Sequence, residues 1–368
     1  MIFIHAASLL CWIGFLFWIH KKIKPFSEEG EIITTFDERV QVLIAFRNEA
    51  ENLEACLLHL NASKGFQNKL SVLMVDDHSD DQSLEVIKAS ARHCSNLSIE
   101  ILPSQGKGKK AALLTGVAHV KEGWIFLTDA DCFVRPTTIG SLHSAAVRSD
   151  ADAVFGPVLY KVGRFWDRLL AYENLNTQTV SEAFVSIGKP TMVNGGNMLL
   201  HTSLLPVYLQ SLKNGRTSGD DVFFAQALDK VQFSGAYSEV SAVDTRAPEN
   251  FKALIQQRIR WASKYPAYRG VMLRMLPAFI FLLNALFVTI WFAWITASSW
   301  LNVWLLLLVL KWLIEFSFHH YWFKKYAFRA PILDGLILSA LFPIYFLWVG
   351  MASLVLKRFQ WKGRSYDR

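Results

Sequence analysis

The chain has 368 residues, of which 52% are hydrophobic and 14% aromatic, and its formal net charge is +7. The apolar excess is concentrated in residues 2–19 and 276–356, which excludes a wholly soluble protein, while the middle has the composition of a soluble α/β domain. The basic residues cluster beside the apolar segments, at 21–24, 258–274 and 357–364. This pattern favours a membrane protein facing an anionic leaflet, and no nucleic-acid motif is present.

The N-terminal segment, residues 1–20, is predicted to be an uncleaved transmembrane anchor. Its positive charges, Lys21, Lys22 and Lys24, follow the apolar run, whereas a signal peptide carries them in front. The anchor should therefore end in the cytoplasm, which places residues 21–38 there as a polar linker. The four cysteines are isolated and fit a reducing compartment, without disulfides or structural zinc.

Strands and helices alternate over the first part of the predicted domain, residues 39–270. Strands are predicted at 40–46, 70–75, 97–102 and 124–128. Helices should lie between them, the first capped by Asn48 and the third starting near Lys109. This alternation predicts an α/β fold with a mostly parallel, Rossmann-like sheet.

Polar clusters stand at the ends of three of these strands. They are Arg47-Asn48-Glu49, Asp76-Asp77, and the pair Asp129 and Asp131. Residues i and i+2 of an extended chain point to one side, so this pair could hold one hard cation. A lone Asp-x-Asp is more often a solvated strand end, but open parallel sheets bind ligands at this edge. Three clusters there predict a site.

The rest of the domain shows less periodicity. A further strand is predicted at 153–157, and Asn194-Gly195-Gly196-Asn197 is interpreted as a turn. Ser218-Gly219-Asp220-Asp221 should cap a helix over 222–228, and Gln256 to Trp261 should be helical, directly before the membrane.

These motifs together resemble the membrane-bound inverting glycosyltransferases of family 2, which have the GT-A fold. Similar members include ceramide and hopanoid glucosyltransferases, dolichyl-phosphate sugar synthases and processive polysaccharide synthases. The resemblance covers roughly residues 40–261. It rests on Ala45-Phe46-Arg47-Asn48-Glu49, Asp76-Asp77-His78-Ser79-Asp80, Gly108-Lys109-Lys110-Ala111-Ala112-Leu113, Asp129-Ala130-Asp131, Asp220-Asp221 and Gln257 with Arg260 and Trp261. His78 departs from a frequent Gly, and Asp220 from the usual Glu.

The resemblance implies a role for each matched residue. Asp221 would be the catalytic base, and Asp129 and Asp131 would hold Mg²⁺ or Mn²⁺. The nucleotide-sugar would be bound by Glu49, Asp76, Asp77, Lys109, Asp129 and Arg260. The acceptor and diphosphate would contact Asp220, Gln257 and Trp261.

Plainer interpretations stand beside these roles. Asp220 and Asp221 could be ordinary helix-start carboxylates, and Arg260 and Trp261 could be interfacial anchors. In the resembling family, the segment 194–197 borders the acceptor pocket, but we leave it out of the predicted site.

The C-terminal segments, residues 271–356, should supply two to three membrane helices, followed by a basic cytosolic tail at 357–368. The third segment, 332–356, would carry the tail outside if it crossed. We therefore predict that Pro343 breaks it or makes it re-entrant. Lys311 and Glu315 could be functional intramembrane charges or a simple i, i+4 pair.

The predicted function is transfer of a sugar from a nucleotide-diphospho-sugar, UDP-sugar by preference, to a lipid at the cytoplasmic face of the inner membrane. A processive polysaccharide synthase is the alternative within enzymes, which product length would distinguish. A transporter, suggested by Glu315 and Asp334, leaves the acidic motifs unexplained. A catalytically inactive nucleotide-sugar-binding protein is the third alternative.

Overall fold

A computed structural model describes residues 2–23, 38–214, 216, 218–269, 271–296, 301–326, 332–355, 358–362 and 364–367. Most of the predicted linker, residues 24–37, lies outside this range, as do Lys357 and Gly363 of the predicted tail.

The strands of the described chain form three sheets. In chain order they are β1 (Val40–Phe46), β2 (Leu70–Asp76), β3 (Leu97–Pro103), β4 (Trp124–Leu127), β5 (Cys132–Val134), β6 (Ala153–Phe155), β7 (Val158–Tyr160), β8 (Met198–His201), β9 (Gly235–Tyr237), β10 (Val243–Thr245), β11 (Arg358–Trp361) and β12 (Arg364–Asp367). The central sheet has the order β3-β2-β1-β4-β8-β6-β9. Neighbours among β1 to β4 are parallel, and β8 runs antiparallel to both of its neighbours. The small sheets are β5-β10-β7 and the hairpin β11-β12.

The helices are α1 (Ile2–Lys22), α2 (Ala50–Asn61), α3 (Ser83–Ala91), α4 (Lys109–Val117), α5 (Thr138–Ser149), α6 (Phe165–Val185), α7 (Leu205–Leu212), α8 (Asp220–Leu228), α9 (Phe251–Ala262), α10 (Val271–Thr296), α11 (Leu301–Lys325) and α12 (Ile332–Val355). Short 3₁₀ turns lie at Thr202–Leu204 and Tyr265–Ala267.

The central sheet is buried on both faces, as its apolar strands predict. Val42 and Ile44 of β1 face a core that α2, α3 and α5 complete. Leu43, between them, faces the opposite core, to which α4, α7 and α8 contribute. The predicted α/β fold with a mostly parallel sheet is confirmed, and the carboxyl ends of β1, β2 and β4 meet at one edge.

Two predicted helix starts are wrong. Asn48 does not cap α2, because its backbone is left-handed (φ 51°) and its side-chain amide donates to Asp80 Oδ1 at 2.6 Å. Helix α8 begins at Asp220, two residues before the predicted start, so Asp220 and Asp221 lie in its first turn.

The apolar ends of the chain form long helices, as predicted. Three segments are long and apolar enough to cross a membrane, Phe3–Lys22, Asn302–Lys325 and Leu333–Ala352, and α10 has a shorter apolar stretch at Leu273–Thr289. Helices α1, α10 and α11 pack together around Trp12, Phe287 and Trp304. The protein is therefore a membrane protein with apolar helices at both ends.

Helix α12 differs from the prediction, because it continues unbroken through Pro343. Near its start Asp334 pairs with Arg168 of α6 at 2.6 Å, and near its end the ring of Trp348 lies 4.9 Å from that of Phe251 in α9. Both ends of α12 therefore contact the α/β part of the protein. The predicted break is therefore wrong, while a re-entrant segment and a cytoplasmic tail stay predictions.

The intramembrane charges are paired. Lys311 Nζ lies 2.7 Å from Glu315 Oε2, and both side chains are buried. Asp334 pairs with Arg168, as described above. The two carboxylates that suggested a transporter therefore have structural partners.

Candidate active site

An acidic cleft of about 1190 Å³ opens beyond the carboxyl end of β4. Eight predicted site residues line it: Lys109, Asp129, Asp131, Asp220, Asp221, Gln257, Arg260 and Trp261. They come from the start of α4, the segment after β4, the first turn of α8 and the last turns of α9. Glu49, Asp76 and Asp77 lie beside this cleft, at the ends of β1 and β2.

Lys109 joins the two acidic groups of the cleft. Its Nζ lies 2.8 Å from Asp129 Oδ1 and 3.1 Å from Asp220 Oδ2. Burial opposes the charge of this ammonium, but Asp129 and Asp220 outweigh it and hold the pKa of Lys109 well above its ordinary value. Lys109 therefore remains charged where a donor phosphate would enter.

Asp129, Asp131 and Cys132 offer ligand atoms within 4.8 Å of one another. Asp131 is an exposed residue that lines the cleft. Desolvation by the surrounding protein, together with the charge of Asp129, raises its pKa to about 6. Burial also raises the pKa of the Cys132 thiol, so this sulfur stays protonated. Two carboxylates with excess negative charge and no thiolate fit a hard divalent cation rather than zinc.

Asp221 is held by two donors. Its Oδ1 accepts the Val222 backbone N–H at 2.7 Å and pairs with Lys264 Nζ at 3.1 Å. Burial alone would raise its pKa, but the ammonium groups of Lys264 and Lys109 lower the pKa of Asp221 below its ordinary value. The carboxylate is thus ionised near neutral pH and faces the cleft. Because Asp221 lies in the first turn of α8, its interpretation as an ordinary helix-start carboxylate also fits the structure.

Asn194 and Gly195, in the segment predicted as a turn, also line the cleft. A Cβ on Gly195 would lie 3.0 Å from Asp220 Oδ2, and one on Gly196 would lie 3.0 Å from Cys132 Sγ. The Thr128 hydroxyl donates to the Gly196 carbonyl at 2.9 Å. The two glycines therefore let the backbone pass between the acidic groups. Consecutive glycines were the sequence feature that could have marked this segment. No sequence feature, apart from its place in a basic cluster, could have marked Lys264 as a residue of the cleft.

The Gln-x-x-Arg-Trp motif on α9 is ordered by a residue inside it. Gln257 Oε1 accepts a hydrogen bond from Arg258 Nη1 at 2.6 Å, and the Arg258 guanidinium lies 4.2 Å from the Trp261 ring centroid. Arg260 Nη1 is 3.5 Å from Ser218 Oγ, just before α8. Arg258, absent from the predicted site, therefore orients two members of it.

The carboxylates at the ends of β1 and β2 organise loops. Asp76 Oδ1 accepts the Ser79 N–H at 2.9 Å, and Asp77 Oδ1 accepts the Gly108 N–H at 2.7 Å. The second oxygen of Asp77 pairs with Arg364 at 2.8 Å, and Glu49 Oε1 pairs with Lys362 at 2.8 Å. The predicted nucleotide-binding acids are thus in contact with the C-terminal hairpin.

Comparison with known proteins shows what the domain is similar to. Residues 41–208 match the family described as Glycosyl transferase family 2. Over these residues the chain is similar to that family. The match includes Asp76, Asp77, Lys109, Asp129 and Asp131 but ends before α8 and α9.

Similar curated proteins are sugar transferases. Glycosyltransferase AglE of Haloferax volcanii is 22% identical over 221 residues, which is 60% of this chain and 71% of that protein. The undecaprenyl-phosphate 4-deoxy-4-formamido-L-arabinose transferase of Edwardsiella ictaluri is 28% identical over 108 residues, or 29% of this chain. That match spans only 33% of the relative.

A solved structure shares the fold over nearly the whole chain. The mannosyltransferase PcManGT from Pyrobaculum calidifontis, in complex with GDP-Man and Mn²⁺, superposes with a TM-score of 0.57 at 18% identity. The alignment covers 93% of this chain and 96% of that one. The α/β domain therefore has the GT-A fold.

Proposed function

We propose that this protein is a membrane-bound, metal-dependent, inverting glycosyltransferase that transfers a sugar from a nucleotide-diphospho-sugar, a UDP-sugar by preference, to a lipid acceptor. The observation that carries the proposal is the junction of two cavities. Thr177 and Met192 line both the acidic cleft and an apolar cavity among the membrane helices. A polar reaction site and a lipid-compatible space thus share one wall.

The apolar cavity lies between α1, α6, α10, α11 and α12. Phe15, Leu16, Ile280, Phe318 and Phe342 contribute to its lining. An apolar cavity with few polar groups suits a hydrocarbon chain, and the head group would then point past Met192 towards the cleft. A relative's name, undecaprenyl-phosphate transferase, supports an acceptor of this class.

The charges of the cleft suit a departing nucleoside diphosphate. Lys109 and Arg260 would place positive charge beside the phosphates, and Asp129 with Asp131 would hold the divalent cation. When bound, this cation would neutralise the developing negative charge as a Lewis acid. Mn²⁺ in the PcManGT complex supports the metal, while its GDP-Man makes a GDP-sugar the alternative donor.

Asp221 would take the proton of the attacking hydroxyl. Its lowered pKa keeps the carboxylate ready to accept a proton at neutral pH. Attack from the face opposite the leaving diphosphate gives inversion in one displacement, and no covalent enzyme nucleophile is required. Asp220, Gln257 and Trp261 would position the acceptor and diphosphate beside it.

The domain layout remains part of the proposal. We place the catalytic unit, residues 39–270, at the cytoplasmic face of the inner membrane, with the tail on the same side. Labelling single cysteines in intact and opened cells tests this, and a cysteine at position 362 should react only after opening. Reaction in intact cells would contradict the topology.

The decisive experiment incubates the purified protein with a panel of UDP- and GDP-sugars and extracted membrane lipids, with products identified by mass spectrometry. We expect a lipid carrying a single sugar, formed only without EDTA. Asp131→Ala and Asp221→Asn should each lower the rate by about 10²-fold or more. Asp229→Asn, an exposed carboxylate at the far end of α8, is the matched control.

The outcomes separate the alternatives. Long polymer products would identify a polysaccharide synthase, and transfer that survives EDTA and Asp131→Ala would refute the metal role. Donor binding with no transfer to any lipid would support the inactive binding protein.

A further inference from the structure

The C-terminal hairpin, β11 and β12, brings two cations to the edge of the central sheet. Its strands pair antiparallel from Arg358–Asp367 to Trp361–Arg364. Lys362, the first turn residue, has φ 47°, the left-handed conformation that such turns require. The hairpin is therefore a folded element with Lys362 and Arg364 at its tip.

Arg364 contacts Asp77 at two points. Its Nη1 lies 2.8 Å from Asp77 Oδ2, and its Nη2 lies 3.3 Å from the Asp77 carbonyl oxygen. The Asp77 side chain is only 2% exposed, and its other oxygen accepts the Gly108 N–H. Gly108 has φ 97° and immediately precedes Lys109. A continuous series of contacts thus leads from the hairpin to the lysine of the cleft.

Lys362 reaches the neighbouring acidic group. Its Nζ lies 2.8 Å from Glu49 Oε1, whose side chain is 9% exposed, and its carbonyl accepts a hydrogen bond from Arg47 Nε at 3.4 Å. The ammonium thus stands at the edge of the acidic cluster.

The ends of β1 and β2 therefore depend on distant residues for their charge balance. Asp77 and Arg364 are 287 positions apart in the chain. Without the hairpin, the buried Asp77 carboxylate would lose its guanidinium partner and the buried Glu49 carboxylate its ammonium partner. Leaving a buried charge without a partner is costly. When the hairpin is in place, four cationic residues surround the place where the strand ends would meet a nucleotide: Arg47, Lys109, Lys362 and Arg364.

We propose that the C-terminal hairpin is a fixed wall of the nucleotide site, in which Arg364 positions Asp77 and the Gly108–Lys109 segment while Lys362 supplies a cation for the donor diphosphate. The inference rests on the proposed function, because it names further residues for the same donor. Arg364 acts through Asp77 and is a positioning residue, whereas Lys362 contacts the ligand itself.

A hairpin that blocks the site gives the opposite result. If these residues occupied the place of the nucleotide, their removal would tighten donor binding. If they form its wall, removal weakens binding. The sign of one measured change therefore decides between the two arrangements.

The test measures binding of UDP, GDP and the corresponding monophosphates to the purified full-length protein by calorimetry, with MnCl₂ present, and donor KM and kcat by transfer assay. Arg364→Ala should weaken diphosphate binding and raise the donor KM by about tenfold, with kcat within about twofold, because a charge-assisted contact is lost. Arg364→Lys should recover part of the affinity. Lys362→Ala should weaken diphosphate binding more than monophosphate binding.

Arg148→Ala and Lys88→Ala, exposed residues on α5 and α3, are the matched controls. A melting temperature for each variant shows that it is folded, and Arg364→Lys is the second variant should Arg364→Ala not fold. Unchanged or tighter diphosphate binding in the folded Arg364 and Lys362 variants overturns the inference alone. A wild-type protein that neither binds nucleotides nor transfers sugar overturns the proposed function with it.

Discussion

The ion pair between Asp221 and Lys264 determines how the proposed base would behave. Lys264 lies just beyond α9, its side chain is 9% exposed, and its Nζ is 3.1 Å from Asp221 Oδ1. An adjacent ammonium favours the ionised carboxylate and so extends its charged form to lower pH. The Asp221 carboxylate is therefore ionised at neutral pH, but its affinity for a proton is lower. This combination suits a base that takes the proton only as the new bond forms.

Replacing Lys264 should move the pH dependence of the reaction. In Lys264→Met the pKa of Asp221 rises, because burial then acts against a weaker positive field. The ionised form is the active one, so the acid limb of the kcat/KM–pH profile should shift to higher pH. Lys88→Met is the control and should leave the profile unchanged. An unmoved acid limb in Lys264→Met would show that another group sets it.

His78 shows how one departure from the family pattern is accommodated. Its φ of 56° is left-handed, where glycine is favoured, which explains why the resembling family often has Gly here. The imidazole Nε2 lies 3.2 Å from the Gly106 carbonyl oxygen, and the His78 carbonyl accepts a hydrogen bond from Arg47. These contacts hold a non-glycine residue in the same turn.

At the scale of elements, α9 is attached to its neighbours by Arg258. The Arg258 guanidinium donates to both Glu173 oxygens on α6, and Tyr345 of α12 donates to Glu173 Oε2 at 2.9 Å. Glu173 holds the pKa of Arg258 above its ordinary value in spite of burial. This contact fixes the helix that carries Gln257, Arg260 and Trp261.

Breaking this pair should destabilise the protein. Arg258→Met leaves the Glu173 carboxylate largely buried and without its cationic partner, at a cost of about 3–5 kcal/mol. Chemical denaturation in detergent measures the change. Lys252→Met, exposed on the same helix, should have little effect. The double variant Arg258→Met/Glu173→Gln should lose less than the sum of the single changes, and strict additivity would contradict direct coupling.

At the scale of the whole molecule, the cleft and the apolar cavity meet where α6 passes between the α/β part and the membrane helices. Thr177 lies on α6, and Met192 lies in the segment after it. The same helix contacts α1 and α12. Helix α6 therefore joins the two parts of the protein, and its surface forms the passage proposed for the lipid head group.

Narrowing this passage should affect the acceptor and spare the donor. Met192→Trp adds bulk at the shared wall, so we expect glycolipid formation to fall about tenfold or more because a misplaced acceptor reacts slowly. The donor KM should stay within about twofold. Met351→Trp, at an exposed position on α12, is the matched control. Equal losses in both variants, or a raised donor KM in Met192→Trp alone, would contradict the proposed passage.

The periodicity of the sequence was sufficient to predict the main strands and helices of this protein. The apolar run Val40–Phe46 and the spacing of Leu53, Cys56, Leu57 and Leu60 predict β1 and the buried face of α2, both of which the structure confirms. The acidic motifs follow strand ends, and parallel pairing brings those ends to one edge. Their assigned roles remain predictions, but eight of the eleven predicted site residues do line one cleft.

Only the tertiary structure decided the partners of these residues. Lys264 beside Asp221, Arg364 beside Asp77 and Gly196 beside Asp129 are contacts between segments far apart in the chain. Hydrophobic periodicity reports which face of an element is buried and carries no information on which distant side chain will neutralise a buried charge. Likewise, Pro343 predicted a break, but packing of α12 against α6, α9, α10 and α11 holds it as one helix. The sequence by itself determined the fold class and indicated the candidate site residues. Their charge states and neighbours depend on contacts made only after folding.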